Sequence, residues 1–186
     1  MIRRVFLGLA ASLFAAAAWA QDAENVMLID VEGGASGTIA IELLPDLAPL
    51  HVERIKTLVR EGAYDGVAFH RVIEGFMAQT GDVEFGTRDA YGNGRAGTGG
   101  SDYPDVPAEF TATPFDRGVV GMARSQNPNS ANSQFFIMFE NGHFLNGQYT
   151  VFGRVIEGQD VVDAITRGEP PREPDYMTNV RIKADG

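Results

Sequence analysis

The chain has no cysteine, one tryptophan and only three histidines among its 186 residues. The first absence excludes a disulfide scaffold and any thiolate-held zinc or iron–sulfur site. The scatter of His51, His70 and His143 along the chain leaves no ligand cluster, so neither metal nor cofactor is expected. Runs of lysine or arginine are missing as well. With 15 basic against 25 acidic residues the formal net charge is −10, and an acidic surface repels phosphate backbones and anionic lipid. Nucleic acid is therefore not an expected partner. No G-x-S-x-G elbow or serine-centred triad is present, and no carboxylate stands in an apolar segment that would raise its pKa, so the usual nucleophilic and acid–base machinery has no obvious seat.

One long apolar run does occur, from Val5 to Ala18 behind Arg3 and Arg4, and it ends in Ala18-Trp19-Ala20. This pattern fits an export signal over residues 1–20, cleaved before Gln21, with residues 21–186 as one domain. The run is shorter than the roughly 20 apolar residues of a membrane span. A periplasmic location without stable membrane insertion is the expectation, and Arg3-Arg4 leaves both the general secretory and the twin-arginine routes open.

The remainder reads as short strands separated by glycine-rich turns. Candidates are 26–31, 37–43, 67–72, 77–81, 119–122, 134–138, 149–155 and 177–183, a pattern that suggests a barrel or a sandwich. Two stretches carry helical spacing instead. The first is 46–61, with Val52, Ile55 and Val59 on one face, Pro49 suited to the first turn and Gly62 to the stop; the second is 159–167. Between Phe85 and Pro107 lies a long loop without periodicity, expected to be flexible surface. Its Gly92-Asn93-Gly94-Arg95-Ala96-Gly97 matches a dinucleotide fingerprint in letters, but Pro104 and further glycines follow where a phosphate-binding helix would have to begin.

The segment from Phe69 to Asp82 places Arg71 and Gln79 among large apolar groups on two strands joined at Glu74-Gly75. Alternation alone does not say which of His70, Val72, Met77 and Gln79 face the core, because that depends on register. Read from the residues alone, a core hairpin with Arg71 as a solvated edge charge is slightly favoured over a site.

This segment, in the form F-H-R-x-x-x-G-F-M-x-Q-x-G-D, resembles the signature of the cyclophilin-type peptidyl-prolyl isomerases. Gly118–Arg124, Asn132–Ile137, His143–Gly147 and Val151–Val155 agree with the same family in order and spacing, as does Tyr64-Asp65-Gly66. The resemblance implies a mainly-β fold, an eight-stranded antiparallel closed β-barrel capped by two α-helices. It implies an isomerase of X–Pro peptide bonds that assists the folding of exported proteins, acts as a monomer on proline-containing unfolded or extended polypeptides, and uses no cofactor. Arg71 then matches the catalytic arginine, with Gln79 beside it in the catalytic set. Phe76, Met77, Phe136 and Leu145 match the proline pocket, Gln79 and Gln134 the groups that hold the substrate backbone, and Ala123-Arg124 the edge along which the peptide lies. His70 matches a packing and hydrogen-bonding position.

The sequence also departs from the family. Phe144 stands where many members have tryptophan, which removes an indole donor used by cyclosporin-type inhibitors and implies weak sensitivity to them. Tyr149 replaces a histidine at the pocket rim and Glu74 a proline in the turn. The other reading is a non-catalytic chaperone module that only binds proline segments; the presence of Arg71 favours the enzyme.

Overall fold

The computed structural model describes residues 23–186; the leader expectation at residues 1–20 lies outside them. No helix among the described residues is long and apolar enough to cross a membrane. Among the described residues nine strands form one antiparallel sheet: β1 (Val26–Glu32), β2 (Gly37–Leu43), β3 (Val67–Ala68), β4 (Arg71–Ile73), β5 (Met77–Thr80), β6 (Val119–Met122), β7 (Phe135–Met138), β8 (Val151–Glu157) and β9 (Tyr176–Ile182). Two helices join them, α1 (Pro49–Arg60) and α2 (Gln159–Ala164).

The strand order is β3-β9-β1-β2-β8-β6-β7-β5-β4. Its two ends, β3 and β4, are halves of the single segment expected at 67–72. Phe69 and His70 interrupt that strand because its partners change there: the Phe69 amide donates to Asp175 O beside β9, and the His70 amide to Gln79 O on β5. The sheet therefore curls into a half-barrel whose ends meet through the chain, and no ladder joins β3 to β4. Counted as one strand, β3 and β4 bring the number to the eight expected, and the mainly-β fold of a curled antiparallel sheet with two helices agrees with the expectation.

Pro49 opens α1 at a position where its missing N–H costs nothing, three residues later than the sequence suggests. Two of the amides orphaned there, from Leu50 and His51, donate to the Glu109 carboxylate at 3.2 and 3.1 Å. Val52, Ile55, Leu58 and Val59 form the buried stripe. The shorter α2 ends at Ala164, because Ile165 is already extended.

Alternation along the sheet divides the apolar residues into two clusters. Val72, Ala78, Val120, Met122, Phe135 and Ile137 point to the interior core. Their neighbours Met77, Phe136 and Met138 point outward, where Phe115, Leu145 and Val151 cover them. The unbroken Phe135-Phe136-Ile137-Met138 run follows from this: β7 is buried on both faces.

Candidate active site

The pairing of β4 with β5 settles the register that sequence left open. Arg71 lies opposite Gln79, Val72 opposite Ala78 and Ile73 opposite Met77. Val72 and Ala78 go inside, which leaves Arg71, Gln79 and Met77 on the outer face with the second apolar cluster.

There they border a cavity of about 310 Å³, lined by Arg71, Phe76, Met77, Gln79, Ala123, Arg124, Phe136, Phe144, Leu145 and Tyr149. Phe136 forms its floor, stacked on Phe115 with ring centroids 5.7 Å apart, while Tyr149 meets Phe136 edge-on at 5.8 Å. Leu145 is buried in a short 3-10 turn, His143–Leu145. Phe144 on the same turn is 66% exposed, so its ring is part of the rim, 5.5 Å from that of Phe76.

Gln134 does not line this cavity. It belongs to a neighbouring one of about 390 Å³ that shares Gln79, Ala123 and Arg124 with the first, so the two form a continuous groove. Its Oε1 accepts a bond from Gln79 Nε2 at 2.9 Å, and its Nε2 donates to the carbonyls of Gly97 and Gly99 at 3.1 and 2.8 Å.

Those glycines belong to the long 85–107 loop, which is not the free surface segment that its composition suggests. Fully buried Asp82 accepts the amides of Glu84, Phe85, Gly97 and Gly99, and Asn132 accepts the Ser101 amide. The fingerprint-like stretch holds a 3-10 turn, Tyr91–Asn93, and no helix. Gly97 lies against His70, where an added Cβ would approach the ring to 2.9 Å.

The His70 ring is buried, and among the described residues neither ring nitrogen meets a hydrogen-bond partner. Burial holds its pKa below the ordinary value, against the opposing pull of Asp82. At 3% exposure the ring is covered from the groove. Among the described residues no group of three or more metal-ligating side chains comes together.

The two cations of the groove differ in what they have left to give. Arg124 donates to Ser125 O and Gln148 O, both at 2.8 Å, and lies 4.4 Å over the Tyr149 ring. Among the described residues Arg71 makes one side-chain bond, from Nε to Glu169 Oε2 at 3.0 Å, and its two terminal amino groups have no partner.

Sequence reasoning passed over Gly121, which faces Phe136 across the β6–β7 pair. A Cβ there would lie 2.6 Å from both Phe115 and Phe136, so the floor exists only because this residue has no side chain. The chance to see it was slight, since a glycine inside a strand signals close approach without naming the neighbour.

The family whose model is described as cyclophilin type peptidyl-prolyl cis-trans isomerase/CLD matches residues 27–185. The chain belongs to this family. A probable peptidyl-prolyl cis-trans isomerase of Brucella suis is 60% identical over 172 residues, covering 89% of this chain and 86% of the relative. A peptidyl-prolyl cis-trans isomerase of Acinetobacter baylyi is 35% identical, covering 80% and 81%. Among solved structures, the cyclophilin AquaCyp293 from Hirschia baltica aligns with a TM-score of 0.74 at 31% identity, over 87% of this chain and 74% of its own. A Cryptosporidium parvum cyclophilin solved in the presence of the dipeptide Ala-Pro aligns with a TM-score of 0.72 at 26% identity, over 84% of this chain and 98% of its own.

Proposed function

We propose that this cyclophilin accelerates cis–trans rotation about X–Pro bonds, with proline seated over Phe136 between Met77, Phe76 and Leu145 and with Arg71 as the catalytic residue. One observation carries the reading: a guanidinium with spare donors borders the same cavity as these apolar groups.

Amide resonance sets a barrier of about 18–20 kcal/mol to the rotation, and crossing it breaks no covalent bond. In the planar ground state the prolyl nitrogen shares its lone pair with the carbonyl. Twisting localises the pair and turns the nitrogen into a hydrogen-bond acceptor. A fixed donor aimed at that nitrogen therefore binds the twisted state better than either planar isomer. Arginine is always charged and rigidly planar, and it suits that task.

An acceleration of about five powers of ten needs roughly 7 kcal/mol of differential stabilisation. One charge-assisted hydrogen bond supplies about 1.5–3 kcal/mol. The apolar walls supply the rest, by anchoring the ring while the preceding carbonyl swings and by screening the arginine bond from water. Gln79 holds the substrate backbone beside Arg71, Gln134 holds Gln79, and Ala123 and Arg124 border the extended peptide. The Ala-Pro dipeptide present with the Cryptosporidium relative supports proline-containing peptides as the substrate class.

The exported setting and the folding of exported proteins as the task rest on the residue 1–20 pattern. Cell fractionation with N-terminal sequencing tests it; a new N-terminus at Gln21 in the periplasm is expected, and retention of Met1 in the cytoplasm refutes it. Exchange spectroscopy on a short X–Pro peptide tests the activity. Wild type should speed the exchange and Arg71→Ala should lose most of the gain. No acceleration by wild type removes the isomerase reading, and equal acceleration by both proteins removes Arg71 from its role.

A further inference from the structure

Arg71 is 43% exposed at its side chain, so packing alone does not hold it in place. It also lines two cavities at once. One is the candidate active site; the other, about 260 Å³, is walled by His70, Ala96, Thr98, Glu169 and Pro170 among others. A long cationic side chain between two open spaces has several rotamers within reach, and only some bring it to a bound prolyl nitrogen.

Among the described residues its head bonds to Glu169 alone, and the backbone places that carboxylate. Val72 and Gly168 form an isolated antiparallel bridge, each amide donating to the other's carbonyl at 2.8 and 2.9 Å. The residue that follows Gly168 in the bend is Glu169, and its carboxylate meets Arg71, the residue before Val72, at 3.0 Å. The segment is held from its other side as well, since Tyr91 donates its hydroxyl to Pro171 O at 2.8 Å. Gly168 has no room for a side chain, because a Cβ there would lie 2.5 Å from Pro171 Cα. Glu169 is thus presented to Arg71 from a braced turn.

We propose that Glu169 is a positioning residue for Arg71. It binds Nε, fixes the plane of the guanidinium and leaves the terminal amino groups for the substrate. The proposal rests on the isomerase reading above and deepens it. Glu169 touches no substrate in this scheme, so its loss slows the rotation of bound peptide without loosening the peptide.

The test uses the same X–Pro peptide with wild type, Glu169→Ala, Glu169→Gln, Arg71→Ala and the Arg71→Ala/Glu169→Ala double variant. Exchange spectroscopy reads the rotation rate at saturation and titration reads Kd; nitrogen–proton spectra read the Arg71 Nε–H directly. Glu169→Ala should cut the saturated rate roughly three- to fivefold, the ceiling that an exposed ion pair sets. Kd should hold within about twofold, the Arg71 Nε–H signal should shift or broaden, and Glu169→Gln, which keeps an acceptor oxygen, should recover part of the rate. In the Arg71→Ala background the Glu169 substitution should change nothing further. An unchanged rate, an unmoved Nε–H signal, an equal loss in the Arg71→Ala background or a loss confined to Kd each overturns the proposal. Failure of wild type to accelerate the peptide is a different result: it overturns the isomerase reading itself, and the role of Glu169 in the reaction goes with it.

Discussion

Gln134 accepts the Gln79 side-chain amide at 2.9 Å while its own amide is held by the carbonyls of Gly97 and Gly99. A residue in the groove is thereby tied to a loop distant in sequence, and through the loop's amides to buried Asp82. Gln79 stands opposite Arg71 on the β4–β5 hairpin, so the order of this loop bears on the candidate active site.

Gln134→Ala should therefore lower kcat/KM on proline peptides roughly three- to tenfold, the worth of one or two ordinary hydrogen bonds. Amide exchange at Gly97 and Gly99 should quicken only modestly, because Asp82 still holds both amides. Unchanged kcat/KM would show that the Gln134–Gln79 bond has no bearing on the substrate.

Gly121→Ala tests the floor. The new methyl meets ring carbons of Phe115 and Phe136, which are packed and cannot swing clear. We expect a stability loss of about 1–3 kcal/mol, as for other overpacked sites. Affinity for proline peptides should fall about tenfold as Phe136 is pushed toward the cavity. A crystal structure of the variant with Phe136 unmoved would refute the account.

Phe144→Trp restores an indole donor at an exposed rim position. Cyclosporin should bind wild type weakly and the variant about three- to tenfold more tightly, within the range of one added hydrogen bond. Calorimetric titration measures both. Turnover should stay near wild type, because the ring is mostly exposed at the rim and Arg71 keeps its bond to Glu169.

Acid should destabilise the fold before its carboxylates titrate. Burial lowers the pKa of His51 and His70 below the ordinary 6.5. The unfolded chain therefore binds protons that the folded chain refuses, and the stability present above about 6.5 is lost as pH falls through that value toward the depressed folded one. His51 donates from Nδ1 to Glu109 at 2.6 Å, but its Nε2 is buried without a partner, so protonation there leaves a buried donor unsatisfied. The urea midpoint should drop between about pH 7.5 and 5.5, and His51→Gln should flatten the slope. A midpoint constant over that range would contradict the burial of neutral imidazoles.

The short strands and the two helices were readable because periodicity and turn residues are local signals. Val52, Ile55 and Val59 mark α1 without any knowledge of its neighbours. The site was harder to read. Its motif ties Arg71, Phe76, Met77 and Gln79 to a family, yet the same letters fit a core hairpin with an edge charge until the register is known. That register depends on β4 facing β5 and β5 facing β7, and on which face Phe115 and Leu145 cover.

What this sequence determined unaided is the set of local preferences: where the chain extends, where it turns, and that no cysteine thiolate is available to its chemistry. Tertiary structure alone decided that the 67–73 segment divides between two partners, that Gly121 makes room for Phe136, and that Glu169 faces Arg71. Each of these joins residues far apart along the chain, and no local propensity encodes a distance that exists only once the sheet has curled.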